Sequence, residues 1–207
     1  MTQMPILYSF RRCPYAMRAR LGLAASGVAV ELREVVLRDK PTAFLSASPS
    51  ATVPCLVAGS QVIDESFDIM TWALAQSDPE GWLEMPEAGH SWITEADGPF
   101  KHALDRTKYA TRYPGEDPED HRAVAHAFLA RLDEQIDTWI FDRPTLADYA
   151  ILPFVRQFAF IDKARFDAED WPALQGWLER FLTSDRFSGI MTKYPQWVDG
   201  DPVTLFP

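Results

Sequence analysis

The run Arg11-Arg12-Cys13-Pro14-Tyr15-Ala16 is where residue type and spacing most directly specify chemistry. Proline fits the first position of a helix, where its fixed φ helps and its missing N–H is not needed. Cys13 therefore falls at or beside the N-cap, facing free backbone N–H groups at the positive end of the helix dipole. Both effects favour thiolate over thiol, and the two adjacent arginines push the same way. Thiolates so placed have pKa values of roughly 3.5 to 7.5, against about 8.5 for a free cysteine. The expected product is a nucleophile already charged at neutral pH. A four-residue dithiol motif would need a second cysteine at position 16, which is Ala16. The natural chemistry of Cys13 is then a mixed disulfide with a small thiol, released by a second thiol from solution. Cys55 could in principle resolve it, but it reads as a strand residue packed in the core.

Positioning this cysteine takes a strand, a loop and a helix in that order, and the chain supplies them. Ile6-Leu7-Tyr8-Ser9-Phe10 is a short β-prone run, and 15–26 is rich in helix formers with Gly27 as its stop. Residues 28–36 have a β-branched character, and Asp39-Lys40-Pro41 opens a short helix ending before Pro49. Two strands, 54–57 and 61–63, flank the tight turn Ala58-Gly59-Ser60. Glu65-Ser66 opens a helix reaching Gln76. The order β-α-β-α-β-β-α with its closing hairpin predicts a mixed sheet. Asp78-Pro79, Gly81, Pro86 and Gly89 break both periodicities, so 78–89 reads as a linker. Beyond it, 92–113, 119–140, 145–161 and 172–182 are helical, and 193–207 has no clear periodicity. The expected fold class is an α/β domain over 1–77 followed by an all-helical domain over 90–207. Thr145 and Asp148 have capping-box spacing and are expected to act structurally.

Composition narrows the partners. A net charge of −10 gives no electrostatic reason to expect nucleic acid or an anionic membrane surface. No basic stretch followed by an apolar core opens the chain, and no run of about 18 uncharged apolar residues exists. Two cysteines are too few for a disulfide framework, so a cytoplasmic protein with reduced thiols is expected. None of His90, His102, His121 and His126 has the i, i+4 partner of a helical metal site, and no metal is expected.

Five motifs then carry a resemblance to a known family. Cys13-Pro14-Tyr15-Ala16 with Arg18, Arg20 and Leu21 resembles the active-site helix of glutathione transferases, most closely the omega-type cysteine enzymes with a glutaredoxin-like N-terminal domain. Asp39-Lys40-Pro41 with Phe44-Leu45 looks like their second-helix segment. Pro49-Ser50-Ala51-Thr52-Val53-Pro54-Cys55-Leu56 resembles their Pro-x-x-x-Val-Pro-x-Leu stretch, and Glu65-Ser66 the pair that begins their third helix. Thr145-Leu146-Ala147-Asp148-Tyr149 is similar to the motif opening a core helix of their C-terminal domain. The resemblance implies a thioredoxin-like N-terminal domain, an all-helical C-terminal domain, glutathione as co-substrate and a homodimer.

It also implies a ligand set with a physical role for each member. A cis Val53–Pro54 bond would leave the Val53 backbone free to pair, strand-like, with the cysteinyl part of glutathione. Ser66 at a helix N-terminus suits the γ-glutamyl carboxylate, and Glu65 can accept from its α-ammonium. Lys40 could pair with the glycyl carboxylate, and Tyr15 would pack beside the pocket. Thr52 stands where many relatives carry a long side chain that reaches the ligand, so one contact is expected to be missing. Tyr8 and Ser9 lie near where other classes keep a thiolate-stabilising hydroxyl, but are read as core or loop residues. The implied activity is thiol transfer through a Cys13 mixed disulfide. Conventional conjugation of glutathione to an electrophile and a non-catalytic binding module remain alternatives. The second-substrate pocket would come from scattered aromatic side chains of the helical domain.

Overall fold

The computed structural model describes residues 4–207. Its elements are β1 (Ile6–Ser9), α1 (Pro14–Ser26), β2 (Val30–Glu34), α2 (Thr42–Ala47), β3 (Cys55–Ala58), β4 (Gln61–Ile63) and α3 (Ser66–Gln76). These are followed by α4 (Ala88–Glu95), α5 (Lys101–Lys108), α6 (Pro118–Gln135), α7 (Leu146–Ala159), α8 (Lys163–Asp167), α9 (Pro172–Leu182), α10 (Asp185–Ile190) and β5 (Leu205–Phe206). Two compact units result. One runs to Leu83 and takes in Ser184–Pro207, and the other is Glu84–Thr183.

The first unit holds a mixed five-stranded sheet in the order β4-β3-β1-β2-β5. β1 and β2 are parallel, with Tyr8 opposite Arg33 and Ser9 opposite Glu34. β3 runs antiparallel to β1, and β4 to β3. This is the expected β-α-β-α-β-β-α order. α1 ends as its sequence dictates, at Gly27 in the left-handed region (φ 69°), whose N–H bonds Leu23 O. α1 packs on α3, and at their crossing a Cβ on Gly22 would lie 2.7 Å from Met70 Cα. That contact is with backbone, so only glycine allows the two helices to come this close.

The tail differs from expectation. The helical domain was expected to reach residue 207, yet Ser184–Pro207 packs with the sheet-bearing unit. β5 pairs antiparallel with β2, Leu32 N–H bonds Thr204 O at 2.8 Å, and Trp197 N–H bonds Glu34 O at 2.9 Å. A two-residue strand leaves no periodic trace, so backbone pairing rather than pattern recruits the tail. The stretch expected as a linker is also more structured. Trp82 is fully buried, Asp78 accepts from the N–H groups of Trp82 and Leu83 at 2.9 Å, and α4 already begins at Ala88.

In the second unit the continuous helix expected over 92–113 is interrupted by a π-helical turn, Ala96–Phe100, containing Pro99. Proline has no N–H for the i→i−4 bond and crowds the preceding turn, so the ladder widens there. The core centres on α7, where residues from Leu146 to Val155 are all buried. The expected capping box of Thr145 and Asp148 opens it. No helix among the described residues is long and apolar enough to cross a membrane.

Candidate active site

Cys13 is the N-cap of α1, in extended conformation (φ −77°, ψ 125°), with Pro14 at the first helical position. Its N–H bonds Phe10 O at 2.9 Å, and its carbonyl accepts the first helical bond from Met17. The side chain is half-buried, and Sγ lies 3.7 Å from Val53 O, in reach of a thiol donor. The Val53–Pro54 bond is cis, as the motif implied. Cys13 and Val53 thus come together from positions 40 residues apart, packed against one cluster with Tyr8, Phe44, Cys55 and Trp197.

The loop before the cysteine is held from beneath. Glu34, at the end of β2, accepts from Arg11 N–H at 2.7 Å and pairs with Arg20 on α1. Arg20 is fully buried and also donates to Ser9 Oγ at 2.9 Å and Ile190 O at 3.0 Å. An ion pair this deep tolerates no loss of one partner, since the other would stay charged without water. The guanidinium of Arg11 donates to Met191 O at 3.3 Å, and that of exposed Arg12 lies over the Phe10 ring. Tyr8 and Ser9 are also taken up structurally: Tyr8 Oη accepts from Arg33 at 2.9 Å, and both residues are buried.

The other expected ligand groups sit on the rim of the same unit. Lys40 is half-buried and Nζ donates to Ala51 O at 3.0 Å. Exposed Glu65 is the N-cap of α3 and buried Ser66 is its first residue. Ser66 Oγ accepts from Arg18, a fully buried arginine on α1, at 3.4 Å. Tyr15 is half-buried in the first turn of α1. A groove of about 590 Å³ between β4 and α3 includes Glu65 but not Cys13, Lys40 or Val53. Exposed Thr52 bonds Ser50 Oγ at 2.6 Å. Sequence reasoning missed Glu34 and Trp197, because each acts through partners far along the chain, and it took Arg18 only as part of the α1 motif. Among the described residues, no three His, Cys, Asp or Glu side chains gather as a metal site.

The two cysteines differ in exposure, Cys13 being half-buried. Cys55 is fully buried, and burial together with the Asp64 carboxylate pushes its thiol up to about 12. It therefore carries almost no thiolate at any pH from 6 to 9, and thiolate is the attacking species. Iodoacetamide at pH 7.5 is expected to modify one thiol per native chain, at Cys13. Peptide mapping checks this, and equal labelling of Cys55 would show that the β1–β3 core opens.

A helix with a cysteine at its N-cap on a mixed βαβ–ββα sheet, with an all-helical unit following in sequence, defines the thioredoxin-like class with a helical C-terminal domain. Residues 7–81 match the family model "Glutathione S-transferase, N-terminal domain", and residues 101–180 match "Glutathione S-transferase, C-terminal domain". A glutathione S-transferase of Aspergillus oryzae, aclG, is 32% identical over 171 residues, 73% of this chain and 77% of that protein. Glutathione S-transferase omega-1 of Sus scrofa is 39% identical over 61 residues, 29% of this chain and 25% of that one. A glutathione transferase family member of Pseudomonas fluorescens, solved with two glutathione molecules bound, superposes with a TM-score of 0.76. It is 20% identical, with 91% of this chain and 92% of that chain covered. The chain belongs to the glutathione S-transferase family.

Proposed function

We propose that this transferase acts as a glutathione-dependent thiol transferase with Cys13 as nucleophile. The observation that carries the reading is Cys13 at the N-cap of α1 with Sγ 3.7 Å from the carbonyl of cis-bonded Val53. The Cys13 thiolate attacks the glutathionyl sulfur of a mixed disulfide, R–S–SG. The Cys13–SG bond forms, the RS–SG disulfide bond breaks, and RS⁻ leaves to take up a proton. A second glutathione thiolate then attacks the glutathionyl sulfur, giving glutathione disulfide and restoring the Cys13 thiolate. The bond from Cys13 to Val53 O is one that only the neutral thiol can donate. Ionisation releases that carbonyl, which then pairs with the cysteinyl N–H of the bound tripeptide.

Glutathione would be held by Lys40 at its glycyl carboxylate, by the Val53 backbone, and by Glu65 and Ser66 at its γ-glutamyl end, with Tyr15 alongside. Family membership and the glutathione-bound Pseudomonas neighbour support glutathione as the ligand. The working form in this reading is a homodimer in a reducing cytoplasm. The test is reduction of a small glutathionyl mixed disulfide by glutathione, run beside conjugation of glutathione to an aryl halide. Turnover of the disulfide that depends on Cys13 is expected. Conjugation alone, with no disulfide reduction, would make this a conventional transferase.

A further inference from the structure

Asp64 belongs to none of the groups assigned above, yet it joins the two halves of the proposed glutathione site. It follows the last residue of β4 and stands immediately before Glu65 and Ser66. Its Oδ1 accepts from Ser48 Oγ at 3.1 Å, and its Oδ2 accepts from Ser50 N–H at 3.0 Å. The Cys55 thiol is a further donor to it. Ser48 and Ser50 open the loop 48–52, which leads into cis Val53–Pro54. Within that loop Ala51 sits in the left-handed region at φ 53°, a conformation a residue with a Cβ adopts only when its surroundings enforce it. Ser48 O accepts from Ala51 N–H at 3.2 Å, and Lys40 Nζ bonds Ala51 O at 3.0 Å. Ser50 Oγ in turn accepts from Thr52 N–H at 3.2 Å. One carboxylate therefore ties the residues before α3 to the strained loop that places both Lys40 and the Val53 backbone.

We propose that Asp64 is a positioning residue for glutathione, fixing the 48–52 loop so that Lys40 and Val53 stand in register with Glu65 and Ser66. The proposal rests on the glutathione site described under the proposed function. Although burial works against ionisation, the donors from Cys55, Ser50 and Ser48 hold the Asp64 carboxyl below its ordinary range, so it stays an acceptor throughout the neutral region.

The experiment is calorimetric titration of glutathione into wild type, Asp64→Asn and Asp64→Ala, with KM and kcat measured for each. An asparagine can turn its oxygen to Ser50 N–H while its amide donates to the Ser48 hydroxyl, so binding within about threefold of wild type is expected. Alanine leaves the loop untied, and Kd and KM for glutathione are expected to rise about tenfold, with kcat at saturation within about threefold. Unchanged Kd in Asp64→Ala overturns the proposal. So does a fall in kcat at constant KM, which is the signature of a smaller folded fraction rather than a misplaced ligand. Should Asp64→Ala fail to fold, Ser48→Ala removes one tether alone and is expected to weaken glutathione about threefold, equal binding again overturning the proposal. Wild type that binds no glutathione defeats the proposed function itself. Wild type that binds it without reducing disulfides defeats only the chemistry, and the Kd comparison still decides the role of Asp64.

Discussion

Cys13→Ser is expected to lower kcat/KM for glutathione-dependent disulfide reduction by at least about 10³-fold, about 4 kcal/mol of transition-state stabilisation. A serine hydroxyl is not ionised at neutral pH and is a poor nucleophile toward sulfur, so no residual route through the same atom remains. The loss should be purely chemical. Serine is among the preferred N-cap residues, and cysteine makes no side-chain cap bond here, so α1 should start at least as well in the variant. The groups proposed to hold glutathione are also untouched, and Kd for glutathione should stay within a few-fold of wild type. Steady-state kinetics and calorimetry on the same preparation check both halves. Equal rates for the two proteins would remove Cys13 from the mechanism.

Asp148→Ala should have the largest effect on stability. Both oxygens of this fully buried carboxylate are occupied twice. Oδ1 accepts from Ile140 N–H and Trp177 Nε1–H at 3.0 Å, and Oδ2 from Thr145 N–H at 2.8 Å and its hydroxyl at 3.1 Å. The four donors come from the loop before α7, the N-cap of α7 and α9, so one side chain fastens three parts of the helical unit. Burial pushes its carboxyl above the usual range despite those donors, so charge alone is not what stabilises the fold. The donors are. Truncation strands them in a region closed to water, each costing about 1–3 kcal/mol. With partial relaxation, a total of about 3–5 kcal/mol is expected, a large part of the roughly 5–15 kcal/mol that holds a protein folded. Thermal unfolding should fall by on the order of 10 °C. Asp148→Asn keeps one oxygen and the volume, and about half the loss is expected. A melting temperature unchanged in the alanine variant would show that the network is replaceable by solvent.

How much of this was legible in the sequence follows the range of the interactions involved. The α1 start, its stop at Gly27, the β3–β4 hairpin and the Thr145–Asp148 box are set by residues within four or five positions of one another. Each of them is found where it was read. The deeper roles of the same motifs are not local. Asp148 was legible as a capping residue, but its bond to Trp177 spans 29 residues. Arg20 was legible only as part of the α1 motif, and its burial appears once Glu34 and Ile190 O close around it, the latter 170 residues away. Asp64 was visible only as the residue before a Glu-Ser pair, because its partners are serines and a backbone N–H with no pattern of their own. Tail residues 184–207 join the sheet-bearing unit through main-chain bonds and through side chains such as Trp197, whose partners lie far along the chain and leave no local pattern. At the candidate site the same rule holds: Cys13 announced itself through Pro14, whereas the carbonyl it touches belongs to Val53 on another loop.

The central claim is that Cys13 passes through a covalent glutathione adduct, and intact-mass spectrometry tests it most directly. Native protein exposed to glutathione disulfide at pH 7.5 should gain the mass of one glutathionyl group. Peptide mapping should place that group on Cys13, and added glutathione should remove it. A protein that gains no adduct while still turning over glutathione, or that carries the adduct on Cys55, would contradict the account.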